Sequence, residues 1–422
     1  MNKYASNTIW FVLEPLLRMV SGVFVGMYAA KYLGAEIYGQ LSLIIAFCTL
    51  GLASGRLGLD GIMVRELFRA EKSKTSVSAV LANCFWMMNV AGAVSYIAVM
   101  AAAYYFIPGH SVIGAAIYGL VLLCQAYNVV ELYQQYDTNV KPTTIIRISC
   151  LAASTVATYI AVKLEASSLL FFAIPAAEKI VQALLYSIYF RLSGTESFLS
   201  RPQATNCKAL FKSGLPLLIT AFSQTLYTRI DQVIIGSTLP ARELGQYAVA
   251  AKFYEAWSML PYLVALSLTA MLIRLHQESV EKYAGSLEQL MRLMFWFNMV
   301  VAIVGVYALV DIFAVVMGDG YSGAALPLQI MLFASPFLSL GTVGIRHLII
   351  NGLEKKIAKR AIWSVVVNVV LNLTLIPIYG VCGGAIALLI TSIFANLVFD
   401  FVDKDTRSLG VMKLKSMLPV NI

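Results

Sequence analysis

The chain has 422 residues, of which 59% are hydrophobic and only 13% charged, against about 25% charged in water-soluble globular proteins. That balance excludes a soluble domain and places the chain in a membrane. The net charge of +9 invites a nucleic-acid reading, which the distribution of the cations refutes.

The six cysteines are scattered with no CxxC spacing, which favours small buried hydrophobes over a zinc or redox centre. His110, His276 and His347 lie far apart and never at metal-binding spacing. Neither a P-loop nor a nucleophile elbow occurs. The expectation is a carrier with no metal and no cofactor, and not an enzyme.

Runs of about 20 apolar residues read as membrane spans, and there are twelve. The first, 7–31, holds Glu14, Pro15 and Arg18 with no small-residue cleavage site behind it, so it reads as a retained helix and not a signal peptide. The second, 37–60, ends in Arg56 and Asp60; 79–106 follows, then 111–137 with Glu131, 145–163, and 168–191 with Glu178 and Lys179. In the second half, 209–238 carries Arg229 and Asp231, 244–273 carries Lys252 and Glu255, and 290–317, 324–352 with Arg346, 361–378 and 381–402 complete the set.

With the N-terminus inside, most of the 31 basic residues fall on cytoplasmic segments, Arg147, Lys208, Lys356, Arg360 and Lys413 among them. The opposite loops hold only Lys31, Lys163 and Arg242. Such an asymmetry orients a membrane protein, here with both termini cytoplasmic, and accounts for the net charge as topology.

Leu33-Gly34-Ala35-Glu36-Ile37-Tyr38-Gly39-Gln40-Leu41 recurs as Leu239-Pro240-Ala241-Arg242-Glu243-Leu244-Gly245-Gln246-Tyr247, an interval close to half the chain. Pro15-Leu16-Leu17 reappears as Pro216-Leu217-Leu218, and Asn139, Ile145 and Arg147 correspond to Asn351, Ile357 and Lys359. The shared order implies an all-α integral membrane fold: twelve transmembrane helices in two six-helix bundles, 1–200 and 201–422. A pseudo-twofold along the membrane normal would relate the bundles around a central cavity. Gly22–Gly26, Gly51–Gly55 and Gly380–Gly384 have the GxxxG spacing of close helix packing.

An ionisable residue at the centre of a span costs roughly 2.5 to 3.5 kcal/mol on insertion scales, so Arg18, Arg56, Lys179, Arg229, Lys252 and Arg346 must face an interior, a partner or the interface. For Arg56 and Arg346, near cytoplasmic helix ends, snorkelling competes with a binding role. For the others the competing reading is an ion pair that glues helices: Glu14 stands at i, i+4 from Arg18, and Glu255 at i, i+3 from Lys252. An interior lined by these cations suits an anionic, diphosphate-bearing cargo. Glu14, Asp60, Glu131, Glu178, Asp231 and Glu255 are the candidates for ion coupling or charge pairing.

These residues resemble a family, the polysaccharide-unit flippases of bacterial O-antigen and capsule pathways. They lie within the superfamily that includes multidrug and toxic-compound extruders and lipid II flippases. The likeness spans nearly the whole chain and is carried by Tyr32 to Gly39, Gly58 to Glu66, Arg229-Ile230-Asp231-Gln232-Val233-Ile234-Ile235-Gly236, and Asn368 to Gly384. The resemblance implies a flippase that moves undecaprenyl-diphosphate-linked O-antigen or related repeat units from the cytoplasmic to the periplasmic leaflet by alternating access. It further implies a bacterial inner-membrane location, cavity-lining roles for Arg18, Arg229 and Lys252, a monomer, and a polymerase and chain-length regulator of the same pathway as partners. A multidrug or cation exporter of the same fold is the alternative.

Overall fold

The computed structural model describes residues 3–72, 76–107, 111–194 and 198–418, and all regular secondary structure in them is helical. A helix satisfies its backbone hydrogen bonds within one segment, which is what a bilayer demands of so apolar a chain. His110 lies outside the described residues.

Seven helices and the start of an eighth precede the midpoint: α1 (Lys3–Gly55), α2 (Met63–Lys72), α3 (Val77–Phe106), α4 (Ser111–Cys124), α5 (Asn128–Tyr136), α6 (Lys141–Lys163), α7 (Ser168–Leu192) and α8 (Ala204–Thr238). Then follow α9 (Ala241–Ser267), α10 (Thr269–Glu278), α11 (Val280–Met317), α12 (Ala325–Leu332), α13 (Ser335–Ile350), α14 (Glu354–Tyr379), α15 (Val381–Ile393), α16 (Phe399–Val402) and α17 (Arg407–Met417). A π-helical turn, Phe394–Val398, joins α15 to α16.

Nine segments among the described residues are long and apolar enough to cross a membrane, ten if Gly320–Leu332 and Ser335–Ile350, bent by 42°, form one broken span. Counted as ten, the spans fall two short of the expected twelve, and two elements account for the difference. The first two predicted spans are fused in α1, where Gly34 alone leaves helical geometry, at φ 74° and ψ 164°. Glycine adopts that φ without steric cost. The other element is α8, whose apolar run is diluted by Ser223, Gln224, Thr225, Thr228 and Arg229. Both copies of the repeated stretch fall at helix breaks, Gly34 in α1 and Leu239–Pro240 between α8 and α9.

The chain divides into two compact units, Met1–Arg229 and Ile230–Ile422, so the division falls inside α8, further along than the loop near residue 200. In the first unit α1 packs on α3 and α6, and α4 packs on α3 and α7. A buried cluster that includes Leu67, Phe85, Met88, Val129, Tyr186 and Phe190 fixes α2, α3, α5 and α7 against one another. In the second unit α14 packs on α15, and α11 on α13 and α17, around Leu287, Met291, Phe295, Leu340, Val343 and Leu409. Large apolar side chains such as Phe24, Ile97 and Val300 are exposed on the helices, as lipid-facing positions require. Tyr104 and Tyr105 end α3 as exposed rings, the composition of an interfacial aromatic belt.

Candidate functional site

Four helices of the first unit bring six charges together. Pro15 lies inside α1, and Glu14 and Arg18 flank it one turn apart on a common face. Arg18 donates through Nε to Glu14 Oε1 at 2.8 Å and through Nη2 to Glu178 Oε1 of α7 at 3.0 Å. Arg147, two turns into α6, donates to Glu14 Oε2 and to Glu131 Oε1 of α5, the latter at 2.5 Å. Ser154 of α6 donates to Glu178 Oε2 at 2.7 Å. Lys179 Nζ stands 3.7 Å from Glu178 Oε1 and donates to Gln182 Oε1 at 2.8 Å.

Three carboxylates and three cations make the network formally neutral, which is how buried charge is tolerated. The two signs are not equally placed. The side chains of Glu14 and Glu178 are 3% and 7% exposed, whereas those of Arg18 and Lys179 are 40% and 34% exposed. Around Arg18 and Lys179 the acids lie behind and the cations in front, so that edge of the network is positive, while Glu131 and Arg147 are about as accessible as each other. Two donors of Arg18 are committed to carboxylates while its exposed edge is free to meet a further acceptor. A guanidinium fork is suited to a phosphate.

The other sequence candidates make none of these hydrogen bonds. Arg56, at the end of α1, pairs with Asp60 at 3.1 Å, and both side chains are more than a third exposed. Arg229 is half-buried on α8. In the second unit Lys252 is half-buried and Glu255 exposed on α9, Asp231 accepts from the buried Tyr247 hydroxyl at 2.5 Å, and Arg346 of α13 lies over the Tyr262 ring at 5.4 Å. The first-unit network thus gathers Glu14, Arg18, Glu131, Glu178 and Lys179; Arg56 and Asp60 lie within electrostatic reach of Glu131, and Arg229 acts on the same Tyr118 as Arg18 and Glu178, while Asp231, Lys252, Glu255 and Arg346 belong to the second unit.

Two charged features went unread in the sequence. Arg147 counted as a cytoplasmic cation, yet it is the residue that ties Glu14 to Glu131. Its position inside the predicted fifth span was the available signal. In the second unit Asp400 is fully buried between Arg360 and Lys413, with Lys413 Nζ at 2.6 Å from Asp400 Oδ2 and 2.7 Å from the Asn396 carbonyl. Lys413 had also counted as a cytoplasmic cation, whereas its side chain is fully buried. A carboxylate within the last apolar run marked the need for a buried cation.

Comparison with known proteins decides the family. The chain matches the polysaccharide biosynthesis protein family over residues 4–267. It belongs to that family. No curated protein sequence matches it. Among solved structures it is similar to an inward-facing multidrug-resistance MATE family transporter of the MOP superfamily, with a TM-score of 0.71 and 14% identity over 95% of this chain and 99% of the other. It is also similar to the lipid II flippase MurJ in an inward closed conformation, with a TM-score of 0.69 and 14% identity over 96% and 91% of the two chains. An outward-facing MATE family transporter gives 0.53 and 15% over 96% of each. At such identities the likeness is one of fold. This member of the polysaccharide biosynthesis family therefore has an all-α, multi-pass membrane fold of the kind seen in the MATE family transporter and in MurJ.

Proposed function

We propose that the protein moves undecaprenyl-diphosphate-linked O-antigen or related polysaccharide repeat units from the cytoplasmic to the periplasmic leaflet of the bacterial inner membrane, by alternating access. The observation that carries this reading is the placement of charge in the first unit, where half-exposed Arg18 and Lys179 stand before the buried Glu14 and Glu178. A diphosphate meets the guanidinium of Arg18 as a fork and the ammonium of Lys179 as a point charge. Arg56, Arg229, Lys252 and Arg346 serve as further stations for the anionic headgroup. Glu14, Glu131 and Glu178, with Asp60, Asp231 and Glu255 outside the network, are the groups through which an ion could be coupled to the cycle. The chain works as a monomer, alongside the polymerase and chain-length regulator that consume its product.

The test is a deletion strain complemented with wild type, Arg18→Gln or Lys179→Gln. Charge-assisted hydrogen bonds are worth about 1.5–3 kcal/mol, so loss of the Arg18 contact should lower export of lipid-linked units by roughly 10- to 100-fold, with normal membrane insertion. Accumulation of the units on the cytoplasmic side is the expected result. Normal surface polymer together with altered drug or cation sensitivity would replace this reading with that of an exporter.

A further inference from the structure

We propose that a groove on the first unit holds the single polyprenyl chain of a diphosphate-bearing lipid whose headgroup meets the cations at the foot of the groove; the inference rests on the flippase reading. The second half of α1, α3 and the first half of α8 line an open cavity of about 850 Å³, at the upper end of the range for ligand sites. Its lining runs along α3 from Trp86 to Ala102, about 24 Å at 1.5 Å per residue. That is most of the roughly 30 Å hydrocarbon thickness of a bilayer.

The cavity follows from how α8 is attached. Its foot is tied to α3, where Asn83 Oδ1 accepts from the Gln203 backbone N–H at 2.7 Å and from Cys207 Sγ at 3.5 Å. A turn or two further on, Gly214 of α8 meets Gly58 so closely that a Cβ on Gly58 would lie 2.3 Å from the Gly214 carbonyl oxygen. Phe211 and Phe222 flank the open space beside this crossing.

The chemistry of the lining selects the occupant. Ser54 and Ser95 are hydrogen-bonded to one another at 3.2 Å, and the Trp86 indole N–H donates to the Ser200 carbonyl at 3.2 Å. These polar groups are therefore already partnered, and the groove asks for an apolar chain. At one end the lining residues Pro202, Cys207 and Phe211 are each adjacent to an exposed cation: Arg201, Lys208 and Lys212. One apolar track with a triply cationic foot complements a lipid with one chain and a multiply charged headgroup. An ordinary phospholipid, with two chains and at most one net negative charge, matches it less well.

The experiment uses the full chain in phosphatidylcholine nanodiscs and a polyprenyl diphosphate carrying a photoactivatable group on its chain, with labelled peptides identified by mass spectrometry. Labelling within 86–102 and 207–222 is expected, competed by unlabelled polyprenyl diphosphate and not by a tenfold excess of phosphatidylglycerol. Ala98→Trp, which fills the groove from α3, should lower labelling at least fivefold. Ala102→Phe provides the same reading should the first variant fail to fold. Lys208→Gln with Lys212→Gln should raise the probe concentration needed for half-labelling. Label outside the groove, equal competition by phosphatidylglycerol, or labelling unchanged by both filling variants would overturn the proposal. Groove labelling without translocation of lipid-linked units would sink the flippase reading and leave a polyprenyl diphosphate site. Translocation with an unlabelled groove would sink only the groove.

Discussion

Replacing Arg147 with alanine takes the guanidinium from Glu131 and leaves Glu14 with Arg18 as its ion-pair partner, because both carboxylates accept from Arg147. Breaking a buried pair by removing one partner costs about 3–5 kcal/mol. Arg147→Ala should therefore show a large fall in thermal unfolding temperature in detergent, partly recovered when Glu131→Gln removes the stranded charge. Arg18→Gln behaves differently, since Glu14 keeps Arg147 and Glu178 keeps Lys179 nearby. Its expected signature is a smaller loss of stability with a larger loss of export, and equal losses of both would make Arg18 a purely structural residue. At this scale the sequence was partly readable. The Glu14–Arg18 pair follows from helical spacing alone, but its junctions with Glu178 and Arg147 depend on α6 and α7 lying beside α1, which no local pattern encodes.

At the level of the helix, α17 is anchored from within. Lys413 and Arg360 both reach Asp400, while Lys356 of α14 holds Asp403 at 2.5 Å and Asp405 at 2.9 Å just beyond α16. Burial pushes the Lys413 ammonium down from its ordinary value near 10.5 to about 8, against the opposing pull of Asp400. Between those values the folded chain binds fewer protons than the unfolded one, so this group makes stability rise with pH through the window from about 8 to 10.5. Unfolding temperatures of wild type and Lys413→Met, compared from pH 7.5 to 10, should diverge in favour of wild type as pH rises. A constant difference would show that the amine does not titrate there. The crossing of Gly58 with Gly214 gives a second test on an element: Gly58 has φ 67°, so Gly58→Ala combines backbone strain of about 1–3 kcal/mol with the clash, and should loosen the foot of α8 and accelerate its proteolysis. In the sequence Lys413 reads as a cytoplasmic cation and Gly58 as one letter of a motif; only Asp400, a carboxylate within the last apolar run, signals that a buried partner is needed.

For the whole molecule, apolar runs and the repeated stretch foretold a helical membrane fold built around corresponding helix breaks, and the family and fold comparisons agree. What they could not foretell was the long α1 broken only at Gly34, which packing sets, whereas the polar residues that dilute α8 stood in the sequence to be counted. The orientation deduced from the cations predicts a fluorescent C-terminal green fluorescent protein fusion and an inactive C-terminal alkaline phosphatase fusion, and the reverse pair of results would invert the topology. The paired state of Arg18 also bears on turnover. Any anion that reaches this guanidinium competes with Glu14 and Glu178, both already within 3.0 Å, so only the excess of its attraction over theirs appears as affinity. The resident carboxylates stand ready to reclaim the guanidinium as an anion leaves, so on the proposed flippase cycle a weaker grip goes with easier release.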